Sequence, residues 1–285
     1  MQQTIKPLDI LTLIYIFISI VILFIGWNTT ENSLDILLIY LVIIVIIFFL
    51  IRYSHKHAFL RIIHHWYPIL FWGFLFQAST QLNQVFWNGY WDNFFQKIDE
   101  AIFGYQPAII WGTKYNSFFW QEFFHFWYFS FYIMIAGIGL LFYLIDRKLF
   151  HSYFFTISFV FYICYLTYYF IPVIGGRYWE ITLANTKEYQ YGIFTRLMAF
   201  LYNRTEHWGG AIPSSHVAVA TAVTIAAFRF KKYLGWILLA GTVLLSISTV
   251  YCHYHYFIDT PFGILYGILF YYLGLKIYRK MEIYV

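Results

Sequence analysis

The sequence predicts an all-α fold, a polytopic membrane bundle of about eight transmembrane helices. Three observations predict it. Residues are 61% hydrophobic and only 11% charged, whereas a soluble domain carries about 25% charged residues. Too few charges remain to cover a water-facing surface. The apolar residues also come in long blocks, close to the roughly 20 residues a helix needs to cross the hydrocarbon core. Finally, the basic residues gather in alternate loops, as the positive-inside rule requires.

The eight expected spans are Ile10–Trp27, Leu34–Ile51, Trp66–Thr80, Phe123–Ile145, Tyr153–Ile171, Ile212–Phe228, Tyr233–Tyr251 and Phe257–Ile277. The third is the weakest, being short and containing Pro68. The first block has one Lys before it, no small-residue cleavage site after it and a second apolar block close behind, so it reads as a retained helix and not a signal peptide. With Lys6 in the cytoplasm, the even-numbered loops return there. They carry Arg52, Lys56 and Arg61, then Arg147 and Lys148, then Arg229, Lys231 and Lys232. The tail adds Lys276, Arg279 and Lys280, so twelve of the 18 basic residues lie inside. The expected location is an integral membrane protein, in a bacterial inner membrane with its chemistry facing the periplasm, or in an internal membrane facing the lumen. Cys164 and Cys252 lie in or beside apolar blocks and indicate no disulfide framework.

Two external segments are long. Gln81–Glu122 mixes Trp87, Tyr90, Trp91, Phe94 and Phe95 with polar residues, which suits a helix lying in the interface. Pro172–Ala211 carries paired glycines at each end and joins two spans that hold motif residues.

Three short stretches carry chemistry. Pro213-Ser214-Ser215-His216 opens the sixth span. With Pro213 at the first helical position, free backbone N–H groups would follow, and such a helix start binds anions, phosphate above all. His216 sits one turn in. The second stretch is His253-Tyr254-His255 with Asp259. Asp259 is four residues beyond His255, so it can accept from one ring nitrogen and leave the other free to attack. A carboxylate inside a membrane span is costly and marks function. His253, two residues before His255, should point elsewhere. The third stretch is Pro172–Tyr178, where Gly175 and Gly176 turn the chain ahead of Arg177, a side chain suited to phosphate. The predicted topology brings all three to one membrane face. No metal-ligand spacing such as HExxH is present, so neither metal nor other cofactor is expected.

These residues resemble the type 2 phosphatidic acid phosphatase superfamily, which includes vanadium haloperoxidases and lipid phosphotransferases. The family motif PSGH is matched by PSSH at Pro213–His216. The motif SRxxxxxHxxxD is matched at Ser248, His255 and Asp259, with Thr249 in place of Arg. The motif KxxxxxxRP is matched only at Arg177, with Phe170 in place of Lys and Tyr178 in place of Pro. The stretch Ile98–Pro107 resembles a DxxLFGxxP stretch of bacterial relatives and, with the PxxGxR pattern at Pro172–Arg177, points to the inositolphosphotransferase and sphingomyelin-synthase branch.

The resemblance implies a six-helix core over residues 59–285, with residues 1–58 as two added helices. It implies His255 as nucleophile forming a phosphohistidine, Asp259 orienting it and His216 protonating the leaving alkoxide. Arg177, Ser215 and the Ser214–Ser215 backbone would hold the phosphoryl oxygens, with Ser248 nearby and Arg204, Arg196 or Lys187 replacing a missing charge. The substrate would be a lipid phosphate ester; no nucleic acid and no obligate protein partner are implied. Water as acceptor makes a phosphatase and an alcohol makes a phosphotransferase. A non-enzymatic protein with a degraded site is the remaining class.

Overall fold

The computed structural model describes residues 5–182, 184, 192–202 and 208–284. Among these, eleven α-helices follow one another: α1 (Pro7–Ile25), α2 (Ser33–Tyr53), α3 (Ala58–Gln81), α4 (Asp92–Phe103), α5 (Pro107–Lys114) and α6 (Phe118–Ile145), then α7 (Arg147–Tyr168), α8 (Ile193–Tyr202), α9 (Ser215–Phe230), α10 (Lys232–Tyr251) and α11 (Asp259–Tyr284). The only β-type pairing among the described residues is an isolated bridge between Val173 and Gly210.

Six helices, α1, α2, α6, α7, α10 and α11, are long and apolar enough to cross a membrane. The fold is the all-α polytopic bundle that the composition predicts. The remaining two expected spans are α3 and α9. Helix α3 runs 24 residues straight through Pro68, so the proline does not shorten it. Helix α9 has only 16 residues. It packs against α6, α7, α10 and α11, and Val217 through Ala220 are fully buried. It is the central rod of the bundle and meets protein on all sides.

Small residues let α11 lie close on that rod. A Cβ on Gly263 would come within 2.8 Å of the Ser214 carbonyl, and one on Gly267 would run into the Ala218 carbonyl. This is a GxxxG contact, in which close backbone approach replaces the hydrophobic drive that lipid removes. Its consequence is functional, because it brings the first residue of α11, Asp259, alongside the start of α9.

The two N-terminal helices share the main core instead of standing apart from it. Tyr15, Ile16, Tyr40 and Ile47 pack in the same apolar cluster as Phe154, Tyr165 and Val219. Buried hydroxyls stitch the contact, with Thr12 to Tyr162 at 3.0 Å and both Tyr15 and Ser19 to Tyr169 at 3.1 and 2.9 Å. The segment after α3 forms two short helices, α4 and α5, in place of a single interfacial one. Of these α4 is amphipathic: it buries Asp92, Phe95 and Asp99 and exposes Phe94 and Ile102.

Candidate active site

Helix α9 starts at Ser215 and not at Pro213. Ser214 is its N-cap, with Oγ accepting from the Val217 N–H at 3.4 Å. A serine hydroxyl can satisfy an orphan helix N–H and a proline ring cannot, so the cap falls at Ser214. This corrects one expectation. The Ser214 N–H is not open for an anion, since it donates to the Asp259 carbonyl at 3.2 Å. The first turn, Ser215 and His216, carries backbone N–H groups that lack helical acceptors.

The His255 segment is a turn between α10 and α11, closed by the Thr249 carbonyl, which accepts from the N–H groups of Tyr254 and His255 at 3.0 Å each. The i,i+4 contact forms even though residues 252–258 are not helical. His255 Nδ1 lies 3.1 Å from Asp259 Oδ2, and the Tyr256 N–H donates to the same oxygen at 2.9 Å. An ionised Asp259 therefore fixes the proton on Nδ1. The other nitrogen, Nε2, carries the lone pair and lies 3.1 Å from Ser214 Oγ. The serine hydroxyl donates to Nε2 while its oxygen accepts from Val217. Burial holds the His255 pKa well below the ordinary histidine value, with His216 and Arg177 pushing the same way.

His216 stands on the far side of a small cavity of about 30 Å3, whose wall includes Arg177, Ser215, Tyr254 and His255. The His216 and His255 ring centroids are 6.2 Å apart. Tyr128 places its hydroxyl 3.2 Å from His216 Nε2. The Arg177 guanidinium carbon lies 5.6 Å from the Tyr254 ring and 5.8 Å from the Trp208 ring, so aromatic faces steady the cation. A second, larger space of about 520 Å3 runs between α3, α6 and α7 and is lined by apolar side chains such as Trp72, Phe131, Ile135 and Phe161. Phe76, Ser215 and His216 belong to the walls of both. A greasy groove therefore ends on a polar pocket.

The loop carrying Arg177 must pass very close to the His255 turn. Gly175 has φ +86°, and a Cβ there would meet the Tyr254 carbonyl at 2.7 Å; one on Gly176 would meet the His253 carbonyl at 2.9 Å. Only glycine fits both positions.

Several contributors escaped sequence reasoning. Asp92, on α4, accepts from the N–H groups of Ile174 and Gly175 at 3.0 Å and from the Tyr256 hydroxyl at 2.7 Å. It ties the Arg177 loop to the His255 turn with one carboxylate. Burial raises its pKa and these donors pull it back. Asp99, the Asp of the upstream stretch, accepts from Phe257 and Ile258 N–H at 2.7 and 3.0 Å, just ahead of Asp259. The stretch thus has a structural reason to accompany the motif. Tyr128 had no signal at all, being one of 28 tyrosines.

Of the expected site residues, Arg177, Ser214, Ser215, His216, His255 and Asp259 converge. Ser248 does not join them: it is buried in α10, with Oγ donating to the Leu244 carbonyl at 2.7 Å. Arg204 and Lys187 lie outside the described residues, and Arg196 is exposed on α8. Phe170, at the position of the family Lys, stacks on Phe86 at 4.8 Å. His253 turns away, its Nδ1 donating to the Ala108 carbonyl of α5. Among the described residues no three His, Cys, Asp or Glu side chains are grouped to hold a metal ion.

The fold and site are those of a polytopic membrane bundle with an Asp-held histidine facing a second histidine at a helix start. The family model of the PAP2 superfamily matches residues 96–273, more than half of the chain, and the protein belongs to that superfamily. A PA-phosphatase related-family protein of Dictyostelium discoideum is 32% identical over 65 residues, which is 20% of this chain and 12% of that protein. The matched stretch is thus a small part of that relative. No solved structure matches the chain.

Proposed function

We propose that the protein is a membrane enzyme that cleaves or transfers the phosphate group of a lipid phosphate ester through a phosphohistidine on His255. The observation that carries this reading is the division of the His255 ring: Nδ1 is engaged by Asp259, while Nε2 meets the Ser214 hydroxyl, which can rotate away. A neutral Nε2 attacks phosphorus, the P–O bond to the lipid alcohol breaks, and His216 across the cavity gives the departing alkoxide its proton. Water or a second alcohol then takes the phosphoryl group and His255 is restored. Arg177 and the first turn of α9 neutralise the charge that builds on the phosphoryl oxygens. The apolar groove ending at Ser215 and His216 supports a lipid as the substrate, since acyl chains can lie in it while the ester reaches the pocket.

A second reading, phosphotransfer between lipids, is favoured by one feature. Arg177 is the single cationic side chain in the cavity wall among the described residues, and Phe170 and Thr249 stand where two further cations would. One cation suits a monoanionic diester better than a dianionic monoester. Incubation of the purified protein with labelled lipids tests both. Free phosphate as product supports a phosphatase, a new phospholipid supports a transferase, and neither product from any lipid phosphate ester would overturn the assignment.

The alternation of basic loops supports a catalytic face outside the cytoplasm. Single cysteines replacing Asn116 and Lys232, probed on intact cells with an impermeant thiol reagent, test this. Labelling at 116 alone is expected, and labelling at 232 alone would reverse the topology.

A further inference from the structure

The start of α1, the turn after α2, the start of α3, the start of α7 and the end of α11 meet at the face opposite the catalytic histidines. They enclose a cavity of about 460 Å3, within the roughly 300–1,000 Å3 typical of small-molecule sites. Its wall is rich in donors. Lys6, Arg61, His55, His65 and His151 line it, with Glu282 as the single carboxylate in the wall. It shares no residue with the catalytic cavity.

Much of this wall is built and held in place. Asp9, fully buried, accepts from the Tyr67 hydroxyl at 2.9 Å and contacts His64 Nε2 at 3.0 Å, and the other His64 nitrogen meets Ser54 Oγ at 3.0 Å. That network joins α1, α2 and α3 and leaves neither Asp9 oxygen without a partner. Lys6 is drawn inward beside it. Its ammonium donates to the His64 carbonyl at 2.9 Å and meets His65 Nδ1 at 3.2 Å, which engages two of its three N–H donors. His65 must accept there, so its Nε2 carries a hydrogen and is a donor. His55 Nδ1 is buried and has no partner among the described residues. Arg61 makes no ion pair among the described residues and is exposed at the rim. Burial lowers the Lys6 pKa to about 8, against the pull of Asp9. An ammonium held in that way gains from an anion brought beside it.

We propose that this cavity is a second, non-catalytic anion site that holds a phosphate group, carried by a phospholipid headgroup or free in solution. Donors from three helices and a turn converge on one space with a single opposing carboxylate, the arrangement that recognises a multi-oxygen anion. Ile5, Pro7 and Leu8 line the same cavity, so apolar ground for a glycerol backbone lies beside the cations, as in basic headgroup pockets between membrane helices. Lys6, His55, Arg61 and His65 all precede the segment matched to the family, residues 96–273. The wall is thus shared between these residues and His151, which lies inside that segment.

The test is calorimetric titration of full-length protein in detergent with dihexanoyl phosphatidylglycerol and, separately, inorganic phosphate. Both use an Arg177→Gln background, so that the catalytic cavity contributes little. Saturable binding of either ligand is expected, weakened at least about tenfold by Arg61→Gln or Lys6→Gln, the scale of one charge-assisted hydrogen bond. Lipid binding alone assigns a headgroup site; phosphate binding assigns a site for the free anion as well. Lys6→Gln also removes bonds to α3, so its melting temperature is recorded; if it fails to fold, Arg61→Gln decides. No saturable binding of either ligand, or binding that both substitutions leave unchanged, overturns the proposal.

Discussion

His255 and Asp259 stand at one end of the bundle, His64 and Asp9 at the other. Both carboxylates are fully buried and both histidines nearly so, and the nitrogen–oxygen distances are 3.1 and 3.0 Å. The pairs differ in what the second ring nitrogen does. In His64 it is bound to Ser54, and Asp9 is also held by Tyr67. In His255 it meets the Ser214 hydroxyl at the wall of a cavity, while Asp259 Oδ1 has no partner among the described residues. A buried His–Asp pair with every lone pair and proton satisfied is a tie between helices. One left incomplete beside a cavity is poised for chemistry.

The comparison breaks most sharply on alanine substitutions. His255→Ala is expected to drop turnover below about one thousandth and to abolish acid-quenched phosphoenzyme, the scale of losing a covalent nucleophile. His64→Ala is expected to leave Asp9 buried with fewer partners and to reduce stability by about 3–5 kcal/mol, read as melting temperature, while the protein that stays folded still forms the phosphoenzyme. Phosphoenzyme on His216 or His253 would refute the assignment. The same nitrogen sets a pH dependence. The His255 pKa is lowered by burial, with His216 and Arg177 adding to it, and only the neutral ring attacks. The acid limb of kcat/KM should therefore lie below the ordinary histidine value of about 6.5. An acid limb above that value would show that some other group controls the rate.

The two pairs were not equally legible. His255 and Asp259 announce themselves through a four-residue spacing and a helix start that carries His216. Asp9 and His64 are 55 residues apart, and nothing local links them; only the packing of α1 and α3 each against α2 and α7 brings them together. Asp92 was hidden for the same reason, because its donors lie more than 80 residues away. The bundle itself was legible because a bilayer fixes the length and polarity of every span. The exact start of α9 was not, since Pro213 and Ser214 both suit a helix entrance and only the hydrogen bond from the Val217 N–H to Ser214 Oγ decides between them. Ser248 shows the opposite failure: a motif position that matches by spacing yet turns its hydroxyl into its own helix.

His216 comes next in size. Its loss should slow turnover by about a hundredfold or more with a lipid substrate, as for a lost general acid. It should matter far less with a nitrophenyl phosphate ester, whose leaving group needs little protonation. Equal losses with both substrates would remove His216 from that role. Asp92→Asn should follow with roughly a tenfold loss in kcat/KM, since a buried carboxylate accepting three hydrogen bonds is replaced by a group that matches them poorly. Because Asp92 positions the Arg177 loop, KM should rise more than kcat falls. A pure loss of melting temperature with unchanged kinetics would make Asp92 structural only.

The smallest effect concerns Ser214, where two functions of one hydroxyl oppose each other. Its oxygen caps α9 through Val217, and its hydrogen lies on His255 Nε2. Ser214→Ala removes both, and the lost cap should reduce stability by about 1 kcal/mol. Ser214→Gly removes the same hydroxyl but lowers stability by only a few tenths of a kcal/mol, because glycine is a fair N-cap. Comparing the two variants separates the functions. If the hydroxyl covers the nucleophile, His255 should react faster with diethyl pyrocarbonate in both variants, since Nε2 no longer has to release a donor. Phosphoenzyme formation should then change by less than about tenfold, because the easier attack is offset by a looser helix start. Unchanged reactivity of His255 in the glycine variant would show that Ser214 acts as a cap alone, and that the open nitrogen of the catalytic pair needs no cover.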